Sequence, residues 1–401
     1  MKHIIRWLVG LALMVTLGFG ASHADPRPLI DASPADTAAL NDATAAACGK
    51  NIVVLGEVGT HGDGHAIAFK AALASRLVAQ CGFSAVMWES SFYEFDHLNQ
   101  LVGDGVPITR EQVAAAIGGI WNRDAALQPF FDELTRDANR HKIILGGFDD
   151  IWDMAGVPYT TDDLPRALAK RLPSPEADTC ANAFHDRIYN GYAPGDVPRH
   201  QQLISCLDHI RTAVPLSDRH DLDLLDSLRR YIDDDLLPQG ANGPSEHSMY
   251  LNLRVLIDRL PPQSKVIVWT ATIHGGRETS APDGAPIERM GGYIHDAFGK
   301  RSLIIAMGAA GGNYGQAFTE KAYPIPLLAA ESIEAQSIAG TSAPAVYVTP
   351  ERLEAFGTAP AGLFFHEPPI TRDWSQTVDA AVIFRDEVPA KHVPDVAAHP
   401  Q

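Results

Sequence analysis

Several common catalytic signatures are missing from this sequence, and their absence narrows the functions that it supports. The chain has no G-x-S-x-G nucleophile elbow, no G-x-x-x-x-G-K-[ST] phosphate loop and no G-x-G-x-x-G turn before a helix. It also has no H-E-x-x-H zinc motif and no C-x-x-C pair. The sequence therefore does not predict a standard α/β-hydrolase serine, a nucleotide site of these kinds, a zincin protease or a dithiol redox centre.

Basic residues are scarce relative to acidic ones. Lys and Arg number 32 against 49 Asp and Glu, which gives a net charge of −17. Such a chain repels nucleic-acid phosphates and anionic lipid headgroups, so neither is expected as a partner. Hydrophobic residues make up 46% of the 401 positions, enough for one large or two ordinary domains with a real core.

Long apolar runs are confined to the amino terminus. Lys2 and Arg6 precede an almost unbroken apolar run over 7–20, and small residues at Ser22 and Ala24 suit cleavage after Ala24. This pattern predicts a secretory signal peptide over 1–24 and a periplasmic or secreted mature protein that has no membrane contact after cleavage. A retained membrane anchor is the alternative, although the run is shorter than the ~20 residues that a spanning helix needs.

Cysteines are few and even in number, which is consistent with export. They are Cys48, Cys81, Cys180 and Cys206. Cys48 precedes the apolar stretch 52–55 and Cys81 precedes the stretch 84–88, so neighbouring parallel strands would bring these two together. We therefore predict the pairs Cys48–Cys81 and Cys180–Cys206, with four unpaired buried thiols as the alternative.

Apolar strands alternate with helical patterns along most of the chain. Predicted strands lie at 51–56, 84–89, 142–147, 265–270, 303–307, 345–348 and 380–384. Predicted helices lie at 36–47, 64–80, 111–117, 124–140, 162–171, 176–189, 198–213, 219–236, 246–260 and 286–298. The pattern predicts an α/β fold with a mostly parallel central sheet flanked by helices and an inserted helical subdomain.

The same pattern predicts the division of the chain. After the signal peptide, we expect a catalytic α/β domain in two parts, 25–154 and 246–390. A helical insertion or lid over 155–245 interrupts it, and a flexible tail occupies 391–401.

Polar side chains follow four of the predicted strands. They are Glu57, His61, Glu89, Asp149 and His274. The carboxyl ends of parallel strands meet at one edge of a sheet, where open α/β folds bind ligands, so these side chains are expected to converge. The opposing interpretation is structural, with His61 and His274 only neutralising buried carboxylates in a rigid core.

These segments resemble the erythromycin esterase-like family over roughly residues 50–390. The matching blocks, in order, are Leu55-Gly56-Glu57, Thr60-His61-Gly62, Lys70, Cys81 to Ser90, Ile120-Trp121, Gly147-Phe148-Asp149, Met249 to Leu253, Ile267 to His274, and Met290 to Gly299. Several positions depart from the family pattern. One extra residue separates Glu57 from His61, His65 replaces a common Glu, Ala271 replaces the first histidine of macrolide-cleaving members, and Ser245-Glu246 replaces Arg-Asp.

The resemblance implies a hydrolase of a small-molecule ester, possibly a macrolide lactone, whose first-motif histidine is the base and which needs no metal or other cofactor. His61 would activate water, Glu57 or Glu89 would orient its ring, and His274 would contact the carbonyl oxygen or the leaving group. We assign substrate binding to a second set, Asp149, Trp121, Arg277 and His65. No sequence signal indicates an oligomeric state.

Two other functions are compatible with the same residues. His61 and His65 are four apart, so with Glu57, Glu89 and His274 they could form a zinc or manganese site in a metal-dependent hydrolase. A non-catalytic exported binding protein that kept the fold is the other alternative, favoured by Ala271 and by the altered spacing of the first motif.

Overall fold

The computed structural model describes residues 36–152, 157–191, 196–235, 244–280 and 286–394. The predicted signal peptide and the end of the predicted tail, 395–401, lie outside the described residues. In the part of the chain that is described, no helix combines the length and the apolar character needed to cross a bilayer.

The strands lie close to the predicted positions, with several short additions. They are β1 (Ile52–Glu57), β2 (Phe83–Ser91), β3 (Ile144–Asp149), β4 (Lys265–Ala271), β5 (Glu278–Ser280), β6 (Pro286–Glu288), β7 (Ser302–Ala309), β8 (Asn313–Gln316), β9 (Thr319–Pro324), β10 (Ala345–Val348), β11 (Thr358–Ala361), β12 (Ile370–Asp373) and β13 (Ala380–Phe384).

The helices flank these strands. They are α1 (Thr37–Cys48), α2 (Gly64–Cys81), α3 (Phe92–Gly103), α4 (Arg110–Ile117), α5 (Gln128–Asn139), α6 (Leu164–Ala169), α7 (Glu176–Asn190), α8 (Val197–Ala213), α9 (Arg219–Asp235), α10 (Pro244–Arg259), α11 (Thr272–Gly275), α12 (Met290–Phe298), α13 (Ile333–Ile338) and α14 (Pro350–Phe356).

Seven strands form the central sheet in the order β10-β13-β7-β1-β4-β2-β3. All neighbours are parallel except β10, which runs antiparallel to β13 at one edge. The two sides of β1 supply different cores, since Ile52 and Val54 join one hydrophobic cluster and Val53 and Leu55 join the other. A parallel sheet covered on both faces explains the continuous apolar runs, and the predicted α/β fold class is confirmed.

In the described residues between β3 and α10, all of the regular secondary structure is helical. They include α6 to α9, and Leu203, Leu207 and Ile210 of α8 are fully or nearly fully buried in the cluster shared with the sheet. A disulfide joins Cys180 on α7 to Cys206 on α8, with 5.5 Å between their Cα atoms. This segment falls within the predicted insertion, 155–245.

The second disulfide joins Cys48 to Cys81 as predicted, but the geometry that brings them together differs from our argument. β1 and β2 are not neighbours, because β4 lies between them. Lys265, the first residue of β4, donates from Nζ to the Cys48 carbonyl at 2.7 Å and to the Cys81 carbonyl at 2.8 Å. The intervening strand therefore bridges the two cysteine-bearing segments.

Three local predictions need correction or extension. The predicted helix 286–298 begins at Met290, because Pro286–Glu288 pair with Glu278–Ser280 as a small antiparallel ribbon. Helix α3 and the β8–β9 hairpin were not predicted. At the carboxyl end, the amide of Val393 donates to the Arg123 carbonyl at 2.8 Å, so the described start of the predicted tail contacts the body of the protein.

Candidate active site

Four neighbouring strands deliver the predicted polar residues to one rim of the sheet. Glu57 ends β1, Glu89 lies near the end of β2, Asp149 ends β3, and β4 continues into α11, which carries His274. Because these strands are adjacent in the order β1-β4-β2-β3, their carboxyl ends meet, and ligands bind at this edge in open α/β folds.

Glu57 is buried beneath this rim and holds His61. Its Oε1 accepts from the Trp121 indole N–H at 3.1 Å and lies 3.1 Å from Nδ1 of His61, while its Oε2 accepts from Lys70 Nζ. A carboxylate acceptor at Nδ1 favours the tautomer with the proton on that nitrogen, which leaves a lone pair on Nε2. Glu57 rather than Glu89 is therefore the residue that orients the His61 ring.

The backbone around His61 is unusual. His61 has a φ of 54°, in the left-handed region that residues other than glycine seldom adopt. The adjoining Thr60 carbonyl accepts from the Ala317 amide at 2.8 Å, and His61 forms an isolated bridge with Gln316 of β8. A constrained backbone at a polar rim is typical of a functional site, where the surrounding structure holds a residue in a strained conformation.

Glu89 lies between two imidazoles. Its Oε2 accepts from the Thr270 hydroxyl and from the Ala271 amide at 2.9 Å. Its Oε1 is 4.0 Å from Nε2 of His61 and 3.6 Å from Nε2 of His274. These separations exceed a hydrogen bond, so Glu89 acts on the two imidazoles through its charge.

A carboxylate that our sequence analysis did not place in the site holds His274. Oε1 of Glu246, near the start of α10, is 2.8 Å from Nδ1 of His274 and accepts from Arg289 Nη1 at 2.7 Å, while its Oε2 accepts from the Met290 amide at 3.2 Å. The available signal was its position just before the Met249 block, where the resembled family commonly has the Asp of an Arg-Asp pair. The two histidines are thus held alike, each by a buried carboxylate on Nδ1.

Exposure separates the imidazoles from the groups that hold them. The His61 and His274 side chains are 14% and 27% exposed, whereas Glu57 and Glu246 are 0% and 1% exposed. The imidazole rings are therefore partly open to solvent, while the holding carboxylates stay out of water.

The environment gives the two imidazoles different charges. Burial lowers the pKa of His61, with the nearby His274 adding to the shift and Glu89 opposing it, so His61 is neutral at neutral pH. Burial alone would also lower the pKa of His274, but the charge of Glu89 and the hydrogen bond and charge of Glu246 raise it to about 9. Despite burial, His274 and His61 lower the pKa of Glu89, which is therefore ionised.

Two of the residues predicted to bind substrate lie at this cluster. Asp149 is half-buried at the end of β3, where burial and then the neighbouring Asp150 raise its pKa to about 7. Trp121 is fully buried, and its ring meets the His61 ring edge-on at 5.2 Å between centroids. Its indole N–H donates to Glu57 and its ring packs against His61, so the structure places it as a support for these two residues.

The other two lie elsewhere. Nε2 of His65 is 2.7 Å from Asp36 Oδ2, and its Nδ1 is 3.1 Å from the Asp386 carbonyl. Arg277 donates to Asp379 and to the Ser375 carbonyl. The structure therefore does not bring His65 or Arg277 into contact with the rim cluster.

The position of His65 also bears on the possible metal site. His61 and His65 bind different carboxylates, Glu57 and Asp36, so they do not converge on one point. Within the described ranges, the group with metal-ligand geometry is Asp218, His220 and Asp221, in the helical segment at the start of α9. Exposed acidic groups of this kind are common without an ion.

Comparison with known proteins gives the fold. No protein-family model matches the chain, and no curated protein sequence is significantly similar to it. Solved structures do match. A succinoglycan biosynthesis protein superposes with a TM-score of 0.65 at 14% identity, over 92% of this chain and 95% of its own. A Bacillus cereus protein gives 0.62 at 14% identity, over 92% and 96%.

A third similar structure is a histidine-to-asparagine mutant of the erythromycin esterase EreC in its open conformation. It has a TM-score of 0.63 at 15% identity, over 91% of this chain and 98% of its own. The resemblance in sequence blocks is thus matched by similarity in three dimensions over nearly the whole length of both chains. This chain has an erythromycin esterase-like fold.

Proposed function

Since the chain has an erythromycin esterase-like fold, we propose that it is a hydrolase that cleaves a small-molecule ester by direct attack of water. One observation supports this most. Two imidazoles, one neutral and one cationic, face the same Glu89 oxygen, and a buried carboxylate lies against Nδ1 of each. A neutral imidazole beside a cationic one supplies a base and an electrophile at the same pH.

His61 is the general base in this mechanism. Its Nε2 takes a proton from water as the oxygen attacks the ester carbonyl carbon, and Glu57 stabilises the imidazolium that forms. The tetrahedral intermediate collapses by breaking the bond from carbon to the leaving oxygen. The proton on His61 passes to that oxygen, so the alcohol and the acid leave and the base is restored.

His274 and Glu89 act on charge. The His274 imidazolium donates from Nε2 to the carbonyl oxygen, which becomes negative in the transition state. Glu89 keeps His274 charged and stabilises His61 when it becomes protonated. Asp149, at the same rim, is assigned to substrate binding.

An exported location accompanies this function. Two disulfides are typical of an oxidising compartment, and the basic and apolar start of the chain is typical of a signal peptide. The substrate is therefore expected to be a small ester encountered outside the cytoplasm, with macrolide lactones among the candidates. Nucleic acid and membrane surfaces are not expected as partners for a chain of net charge −17.

The test is hydrolysis of an ester panel, including 14-membered macrolides, by the chain from Asp25 onward. We expect His61→Ala to lower kcat by about 10²–10⁴-fold, the usual contribution of a general base. His141→Ala is a matched control, because His141 has the same rare backbone conformation, with a φ of 53°, but is exposed on the surface. Equal losses in both variants would contradict the role of His61.

A chelator arm separates the proposal from metal-dependent hydrolysis by the same residues. Each assay is run with and without EDTA, and activity should be unaffected. Activity lost to EDTA and restored by zinc or manganese would replace the proposed mechanism. Binding of an ester without turnover in the wild type would instead favour a non-catalytic binding protein.

A further inference from the structure

Two exposed phenylalanines flank the loop that carries His61. Phe318 is 69% exposed and Phe365 is 40% exposed. A large apolar side chain left in water loses the stabilisation that burial would give it, so exposed aromatic rings beside a polar rim need a reason.

The backbone of Phe318 adds a second cost. It occupies the two-residue turn of the β8–β9 hairpin and has a φ of 67°. Turn positions with positive φ favour Gly, Asn or Asp, and a bulky residue there is a genuine outlier. Neither local conformation nor burial accounts for phenylalanine at this position, which points to a use for the ring itself.

Both rings belong to segments that hold the His61 loop. On one side, the Ala317 amide donates to the Thr60 carbonyl at 2.8 Å, and Phe318 follows directly. On the other side, the Gly59 amide donates to the Phe364 carbonyl at 2.9 Å. The Phe365 ring lies against Gly59 so closely that a Cβ there would be 2.8 Å from it.

We propose that the rings of Phe318 and Phe365 form an apolar shelf beside His61 that binds the hydrophobic part of the ester substrate. The inference rests on the proposed function and specifies its substrate class as esters with an extended apolar group. Phe318 follows the residue that donates to Thr60, and the Phe365 ring lies against Gly59, so both phenylalanines adjoin the two residues that precede His61. Covering the rings would release the water that they now contact.

The experiment compares p-nitrophenyl acetate with p-nitrophenyl octanoate in Phe318→Gly, Phe365→Ser and the wild type. The shelf contacts only the longer acyl chain. We therefore expect kcat/KM for octanoate to fall at least about fivefold in each variant, since a lost apolar contact is worth that or more, while acetate is unaffected. Phe318→Gly should unfold at an unchanged or higher temperature, because glycine accepts the positive φ.

Two control variants separate the loss of the phenylalanine ring from two other changes, the placement of glycine at a positive φ and the loss of any exposed apolar side chain. Gln263→Gly puts glycine at a similar positive φ, 68°, in another exposed turn, and Leu216→Ser removes an apolar side chain that is 86% exposed between α8 and α9. Both should keep the wild-type ratio of octanoate to acetate. A ratio that stays unchanged in the two phenylalanine variants would overturn the shelf while leaving the esterase function intact.

Titration calorimetry with the free octanoate anion, which cannot be hydrolysed, tests the shelf without turnover. Binding weakened by Phe318→Gly and Phe365→Ser supports the shelf even if no ester is hydrolysed, an outcome in which the proposed function fails alone. Octanoate that does not bind the wild type, or binds all variants equally, would refute it.

Discussion

At the scale of single residues, the surroundings turn two copies of the same side chain into different reagents. His61 and His274 are both buried, and burial by itself disfavours a charged imidazole. His274 is charged because Glu246 and Glu89 both act on it, whereas His61 faces Glu89 but also the positive charge of His274. The division into base and electrophile follows from neighbours and not from residue type.

This division predicts the pH dependence of activity. The reaction needs His61 neutral and His274 protonated. As pH increases, kcat/KM should therefore rise at a pH below 6.5, where His61 loses its proton, and stay high near neutral pH. It should fall as pH passes about 9, where His274 loses its proton. Glu246→Gln removes one of the charges that raise the pKa of His274, and the alkaline limb should then move down by about one pH unit or more. The measurement is kcat/KM from pH 5 to 10.5 for both forms.

Two comparisons make the assignment specific. Glu334→Gln changes another buried glutamate that the structure places on the Gly362 amide, and its alkaline limb should remain that of the wild type. An unchanged alkaline limb in Glu246→Gln would show that another group controls it.

The same shift has a consequence for stability, with its sign set by linkage. The folded pKa of His274 is raised from 6.5 to about 9, so its contribution to the free energy of unfolding is fully present below pH 6.5 and is lost as pH rises through 9. The wild type should therefore lose more thermal stability between pH 7 and 9.5 than Glu246→Gln does.

At the scale of elements, the β8–β9 hairpin determines where the base lies. Gly62 follows His61, and its Cα lies directly against the hairpin backbone, since a Cβ there would be 2.3 Å from the Gln316 nitrogen. This approach leaves no space for a side chain, and backbone atoms cannot yield as the end of a flexible side chain can. The sequence pattern predicted neither the β8–β9 hairpin nor its contact with the loop that carries His61.

Gly62→Ala tests this contact. The added methyl group must displace the hairpin or the His61 loop, so we expect a loss of about 1–3 kcal/mol in stability and a fall in kcat of about tenfold or more. Gly49→Ala is the matched control, because a Cβ there meets nothing within 4 Å and the backbone is already right-handed. Chemical denaturation and ester kinetics on both variants decide the matter, and similar behaviour of the two would rule out the hairpin as a support.

At the scale of the whole molecule, the two disulfides secure different parts. Cys48–Cys81 closes a sequence separation of 33 residues at the amino edge of the sheet, whereas Cys180–Cys206 closes one of 26 residues between two helices of the segment that follows β3. The loops are similar in length, so their effects on the unfolded chain should be similar. Their effects on local opening should differ.

The double variant Cys180→Ser, Cys206→Ser should lose about 2–4 kcal/mol of stability. Amide hydrogen exchange should rise in α7 and α8 and remain slow in β1 and β4. The double variant Cys48→Ser, Cys81→Ser is the control, and its faster exchange should include the start of β4, where Lys265 contacts both cysteine carbonyls. Uniformly faster exchange in the first variant would show that the helices and the sheet open as one unit.

Local sequence patterns were enough to identify the segments that form the sheet and the residues that end its strands. Continuous apolar runs such as Ile267-Val268-Trp269 are typical of strands covered on both faces, and polar residues directly after parallel strands lie at the carboxyl edge of the sheet. These features depend on residues close together in the chain, which is why Glu57, His61, Glu89, Asp149 and His274 could be named in advance.

Most of the contacts among these residues depend on how distant segments pack. The insertion of β4 between β1 and β2 places His274 across Glu89 from His61, and strand order depends on pairings between residues far apart in sequence. The same long-range packing brings Glu246 of α10 to His274 and His65 to Asp36. Local patterns show where polar groups emerge, whereas the partner of a buried side chain is fixed by whichever distant segment packs over it.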